Sequence, residues 1–151
     1  MIFMMNKSVL RSSQKGFSLI EIMVVLVIIG LLASIVGPRV IGQAEDARKK
    51  KAVADFANLA TALKMYKLDN FIYPSTEQGL QALVTPSDMA PEPKNFRQGG
   101  YMDKLPKDPW GNEYLYLSPG ENGPFDIYTY GADGIAGGEG ESADMGSWED
   151  A

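Results

Sequence analysis

At 151 residues the chain is one domain's worth, or a small domain plus an anchor. Its 14 Lys and Arg against 19 Asp and Glu give a net charge of −5, which argues against a general nucleic-acid binder, because that role needs a basic surface to displace counterions. There is no Cys and no His, which removes thiolate nucleophiles, disulfides, Cys/His zinc sites and the commonest general base, and leaves oxygen ligation of calcium or magnesium as the metal chemistry within reach.

Charge is unevenly placed. Residues 1–16 carry Lys7, Arg11 and Lys15 and no acid, whereas residues 121–151 carry Glu121, Asp126, Asp133, Glu139, Glu141, Asp144, Glu149 and Asp150 and no base. A basic head and an acidic tail imply two environments. Phe17 to Gly37 then reads FSLIEIMVVLVIIGLLASIVG, 21 residues with a single charge, Glu21. As a helix this run spans about 30 Å, enough to cross a bilayer core. A buried core helix is the plain alternative, disfavoured because so small a domain seldom hides a helix that is apolar all round. With the basic residues before it, the positive-inside rule leaves residues 1–16 in the cytoplasm and sends the C-terminus out. Two processing schemes compete: a signal peptide cut after the run, with Leu31-Leu32-Ala33 as its site, or retention of the run. The run is long for a signal sequence, and a retained Glu21 in hydrocarbon requires a partner.

Gly16-Phe17-Ser18-Leu19-Ile20-Glu21 followed by an apolar helix resembles the type IV pilin-like processing motif. The resemblance implies that a prepilin peptidase cuts between Gly16 and Phe17 on the cytoplasmic side and methylates the new amine of Phe17. The apolar helix is then retained. Glu21 is expected to pair with the N-terminal amine of a neighbouring subunit; opposite charges in low dielectric are each expensive alone and tolerable together. Pro38 predicts a kink or local melting near residues 34–38, with a helix stop at the membrane exit as the alternative. The family carries a proline at the corresponding place inside one long helix. Met1, Met4 and Met5 all stand as candidate starts of the leader.

Residues 44–68 place Val53, Phe56, Leu59, Ala60, Leu63 and Tyr66 at three- and four-residue steps, which predicts an amphipathic helix with one face on a core, closed by Asp69-Asn70. The run Arg48-Lys49-Lys50-Lys51 reads as a solvated face partly offset by Glu45 and Asp46, or as a contact for lipid headgroups or an acidic neighbour. Ser75 with Gln78 is a capping-box pattern that predicts a short helix over 76–84. Residues 85–100, with Pro86, Pro91, Pro93 and Gly99-Gly100, read as a long loop. Leu105-Pro106-Lys107-Asp108-Pro109-Trp110-Gly111 is turn-rich, with Trp110 as the expected plug on the helix. Strands are expected over 113–117 and 125–130, joined by a 119–124 loop with an Asn122-Gly123 hairpin signal. Two strands alone are marginal, so they must pack on the helix. The predicted fold is α+β: a long N-terminal helix, half hydrophobic and half amphipathic, on a small antiparallel sheet.

Tyr66-Lys67-Leu68-Asp69-Asn70, Tyr73-Pro74-Ser75-Thr76-Glu77-Gln78-Gly79-Leu80, Asp108-Pro109-Trp110-Gly111 and Ser118-Pro119-Gly120 are similar to the major pseudopilins of the type II secretion system, the general secretion pathway protein G family. The similarity runs from Gly16 to about Trp148. Type IV adhesion pilins share the N-terminus but usually close a C-terminal loop with a disulfide, which this Cys-free chain cannot make.

Residues 131–144, GADGIAGGEGESAD, are too rich in glycine for a helix or strand. Acids on such a loop suit calcium, because carbonyls can turn inward beside carboxylates. It is no EF-hand: Asp133 and Asp144 sit twelve residues apart inclusive with Gly138 sixth, but Ile135 and Gly137 lack side-chain ligands and no helix pair flanks them. Composition alone favours a solvated acidic tail. The resemblance implies one calcium, with the Asp133 and Asp144 side chains as ligands, joined by the carbonyls of Tyr130 and Ile135 and a contribution from Ser142; Glu139 or Glu141 are candidate substitutes.

The implied organisation is a cytoplasmic leader over 1–16, a transmembrane or filament-core helix over 17–37 and a periplasmic head over 38–151. The implied function is structural: a homo-oligomeric periplasmic filament, built from subunits held singly in the bacterial inner membrane, that drives folded proteins across the outer membrane. Its partners would be the prepilin peptidase, minor pseudopilins and other type II secretion components. A filament subunit of another type IV pilus-related system, for adhesion, motility or DNA uptake, is the alternative. A signal-anchored periplasmic enzyme is a third class, against which stands the lack of any nucleophile–base constellation.

Overall fold

The structure, a computed structural model, describes residues 16–149. Lys7, Arg11, Lys15 and Asp150 lie outside the described residues, as do the side chains of residues 37–41. Helix α1 runs Leu19–Asn70, 52 residues, and its assignment is unbroken through Pro38, so the helix does not stop where the apolar run ends. Two compact units divide between Val40 and Ile41, slightly beyond the expected 37/38 boundary. The kink expected at Pro38 falls next to this division and outside the described side chains.

In the first unit, Leu19–Val36 is long and apolar enough to cross a membrane. Every residue from Gly16 to Val36 is exposed, among them fifteen large apolar side chains such as Leu19, Ile20, Leu26 and Ile29. Full burial of one such side chain is worth roughly 1.5–3 kcal/mol, so this surface is unstable in water and calls for lipid or neighbouring helices.

The second unit has its own core, every residue of which lies between Ala52 and Ile127. Along α1 the buried line is Ala52, Phe56, Leu59, Leu63, Tyr66 and Asn70, at alternating four- and three-residue steps. Val53, expected on this face, is 37% exposed, while Ala52 beside it is fully buried. The register of the stripe, and not side-chain size, decides which of the two faces inward. Asn70 ends the helix with its own side chain: Nδ2 donates to the Tyr66 carbonyl and to Tyr101 Oη, both at 3.0 Å, and Oδ1 accepts the Asn95 amide at 2.8 Å.

The basic run resolves mostly into ion pairs within the head. Arg48 pairs with Glu141, Lys49 with Glu45 at 2.8 Å, and Lys51 with Asp55 at 2.6 Å, while Lys50 is exposed.

The Ser75–Gln78 capping box forms in both directions. Gln78 N donates to Ser75 Oγ at 3.2 Å, and Ser75 N donates to Gln78 Oε1 at 2.9 Å. The helix it was expected to start is only a turn and then a 3-10 segment, Leu80–Leu83, because Gly79 at φ +61° breaks the α geometry. The 85–100 loop is held by the same Gln78, whose Nε2 donates to the carbonyls of Met89 and Pro91 at 2.6 and 2.8 Å.

Strands β1 (Leu115–Leu117), β2 (Asp126–Thr129) and β3 (Met145–Gly146) form one antiparallel sheet in that order. Tyr116 opposes Ile127, and Tyr128 opposes Gly146. The third strand was not expected; two residues are too few to show a period. Its Gly146 is required by packing, since a Cβ there would collide with the Trp148 indole. Asn122-Gly123 is not a two-residue hairpin turn, as neither residue has the positive φ that turn needs. The loop over 118–125 is instead closed by buried Asp126, whose Oδ2 accepts the Glu121 and Asn122 amides at 2.8 and 3.1 Å.

Trp110 is half-buried and stands outside the core cluster, so it is not the plug expected from sequence. Tyr114 takes that place. Its ring meets Phe56 edge-on at 5.3 Å and its hydroxyl donates to Asp55 at 2.8 Å. Burial and the Asp55 carboxylate hold the Tyr114 phenol well above its ordinary range.

Candidate functional site

Gly16 and Phe17 precede α1 and are exposed, and Glu21 lies in the first turn of the helix, also exposed. A carboxylate in the first turn is favoured by the helix dipole. Among the described residues no cation pairs with it; its neighbours along the helix are apolar.

The acidic loop is built on β2. Asp108, 4% exposed, accepts the amides of Trp110 and Asn112 on Oδ1 at 3.0 and 2.7 Å, and the Thr129 hydroxyl on Oδ2 at 2.5 Å. Thr129 Oγ1 in turn accepts the Gly131 amide at 3.2 Å, and Asn112 Nδ2 donates to the Gly131 carbonyl at 3.1 Å. The Asp-Pro-Trp-Gly turn thus grips both sides of the residue that begins the loop. None of Asp108, Asn112 and Thr129 stood out from sequence as a site residue, although Asp opening a turn that ends in Gly111 is a signal for side-chain-to-backbone bonding.

From Gly131 the chain passes Gly134, Gly137, Gly138 and Gly140, all at positive φ. Asp133 Oδ1 accepts the Ile135 amide at 3.1 Å, and Asp144 Oδ2 accepts the Gly137 amide at 2.9 Å. Two acids far apart in sequence are therefore tied to amides two residues apart. The returning arm carries an unexpected 3-10 turn, Gly140–Ser142, and the Ala132 amide donates to the Glu141 carbonyl at 2.9 Å. A Cβ on Gly131 would meet the Glu141 oxygen at 2.6 Å and the Ala143 oxygen at 2.9 Å, and a Cβ on Gly138 would collide with the Ser142 carbonyl. The arms close only because these positions are glycine.

Tyr130, Ala136 and Asp144 line one hollow beside Tyr128 and Trp148. Ile135 is 68% exposed, Ser142 is half-buried, Glu139 is exposed, and Glu141 is engaged by Arg48. Among the described residues no three acidic side chains gather as a metal cluster. Asp144 lines the hollow and Asp133 does not, so a cation in this loop would depend on carboxylate and carbonyl oxygens alone, a donor set that fits calcium better than a transition metal.

The type II secretion system protein G family model matches residues 39–148 of the chain, and the prokaryotic N-terminal methylation motif matches residues 11–37. The chain belongs to the type II secretion system protein G family. Its relatives include the type II secretion system core protein G of Vibrio cholerae, 59% identical over 89% of this chain and 92% of that one. The core protein G of Pseudomonas aeruginosa is 55% identical over 92% and 98% respectively. Among solved structures, the major pseudopilin of the type 2 secretion system of enterohaemorrhagic Escherichia coli matches with a TM-score of 0.65 and 44% identity, covering 72% of this chain and 92% of that one. The expected pilin-like α+β fold is thereby shown. Membership makes the chain a pseudopilus subunit of type II secretion, a structural family, with an apolar N-terminal helix that fits a single-pass anchor.

Proposed function

We propose that the chain is the major structural subunit of a pseudopilus: a leader over 1–16 removed at Gly16–Phe17, a helix over 17–37 that lies first in the inner membrane and then in the filament core, and a periplasmic head. Subunits stack through their apolar helices, Glu21 pairs with the methylated amine of Phe17 on a neighbour, and the growing filament drives proteins outward. The prepilin peptidase, minor pseudopilins and other secretion components are its partners. The observation that carries this reading is the exposed span Leu19–Val36, interrupted by one carboxylate and continuous in helical assignment with a folded head. Lipid or sister helices would satisfy a span of that length and composition.

Processing tests it. Intact-mass and N-terminal peptide analysis of the membrane fraction should give a chain that starts at Phe17 with one added methyl. A start at Ser34 would mean an ordinary signal peptide and overturn the proposal. Replacing Gly16 by a bulky residue should leave the precursor uncut. A Cβ at Gly16 meets nothing within 4 Å, so the loss would reflect access of the peptidase to the backbone and not misfolding.

Calcium in the acidic loop belongs to the same reading, with Asp133 and Asp144 as side-chain ligands and Tyr130, Ile135 and Ser142 completing the set. The stabilisation is RT ln(1 + [L]/Kd), about 2.7 kcal/mol at 100 times Kd, since the unfolded chain does not bring two acids so far apart onto one ion. For a head of this size that corresponds to roughly 10 °C in Tm. A head starting at residue 42 should melt lower by that order in chelator, and calcium, but not magnesium, should restore it. Asp133→Ala and Asp144→Ala should each abolish the shift, while Glu149→Ala should keep it. Equal melting in chelator and calcium would return the loop to a solvated acidic tail.

A further inference from the structure

Four hydrogen bonds close a ring through Gly131, Thr129, Asp108 and Asn112 at the mouth of the acidic loop. Asp108 holds Thr129 Oγ1 and the Asn112 amide, at 2.5 and 2.7 Å. Those two residues hold the two polar ends of Gly131: Thr129 accepts its N–H at 3.2 Å and Asn112 Nδ2 donates to its C=O at 3.1 Å. Thr129 and Asp108 are 1% and 4% exposed, so the ring rests on groups with no water to replace a lost partner. Asn112 is exposed and reaches the ring from outside. The returning arm packs against the same glycine backbone, as a Cβ there would overlap the Glu141 and Ala143 oxygens.

We propose that Asn112 and Thr129 are positioning residues of the loop: they lock the backbone on both sides of Gly131 before any cation binds, so that the Tyr130 carbonyl on one side and Asp133 on the other are set in place against the 141–144 arm. As a statement about calcium affinity this rests on the calcium reading above; as a statement about loop order it does not. A site assembled in advance loses less conformational freedom on binding. Groups that orient ligands without touching the metal typically change affinity by about 10- to 100-fold when removed.

The test uses the full chain in detergent micelles. In chelator, amide hydrogen exchange at Gly131 and Ala132 should quicken about tenfold in Asn112→Ala, while exchange in α1 at Leu59 and Leu63 stays unchanged. Calorimetric titration with calcium alone should show binding weakened by at least about tenfold in Asn112→Ala. Thr129→Val should act in the same direction, and Thr129→Ser, which keeps the hydroxyl, should behave as the parent chain. Parent-like exchange at Gly131 and Ala132 in Asn112→Ala would overturn the proposal. So would parent-like calcium affinity together with slowed loop exchange only on adding metal. If the parent chain binds no calcium, the calcium reading falls, and the exchange arm alone decides whether the lock exists.

Discussion

Glu21→Ala is expected to insert and be processed normally, yet to yield no filaments and no secretion. The charge sits in the first turn of a helix whose every other residue to Val36 is uncharged and exposed. In an assembled core of such helices, the amine left at Phe17 after processing would be an isolated cation in low dielectric. Removing one member of a buried pair costs about 3–5 kcal/mol, because the other is left uncompensated. That penalty recurs at every subunit added, so growth fails and does not merely slow. Glu21→Gln keeps shape and one acceptor but not the charge, and should recover only part of the loss. Electron microscopy of assembled filaments and an export assay would read the outcome. Normal filaments from Glu21→Ala would remove the proposed role.

The largest effect on the head itself is expected from Asp108→Ala. The carboxylate accepts from two backbone amides and one hydroxyl in a nearly water-free place. Each buried donor left without a partner costs about 1–3 kcal/mol, so a loss of roughly 3–9 kcal/mol follows for the three together. Against a typical domain stability of about 5–15 kcal/mol this brings the head near its unfolding threshold. Urea titration followed by circular dichroism should show the midpoint fall with little change in slope. Asp108→Asn, which keeps one acceptor oxygen, should lose less than Asp108→Ala. Equal stability of Asp108→Ala and the parent would mean that the turn does not organise the head.

Much of the architecture was legible because it is written in local patterns. The apolar span needs only composition and length, and the core face of α1 needs only a step of three or four residues, although Ala52 rather than Val53 occupies its first position. Ser75 and Gln78 met as expected because a capping box is a contact between residues three apart. Strands β1 and β2 lie within the stretches expected for them. Local reasoning went astray where a strong local signal was outweighed. Gly79 cut the short helix, Asn122-Gly123 gave way to the buried Asp126, and Trp110 lost the core position to Tyr114, which offers Phe56 a ring and Asp55 a hydroxyl donor.

The sequence by itself determined the class of protein: a processing motif, an apolar helix with one acid, an amphipathic continuation and a Cys-free, glycine-rich acidic loop, each carried by residues adjacent or a turn apart. Only the tertiary structure decided how that loop is held. The bonds that matter there join Asn112 to Gly131, Asp108 to Thr129 and Arg48 to Glu141, over separations of 19, 21 and 93 residues. No backbone preference encodes such pairs. They exist because the sheet and α1 pack on a common core, which brings the turn, the start of the loop and its returning arm within hydrogen-bonding distance, and because buried polar groups with no water nearby must take the partners that packing supplies.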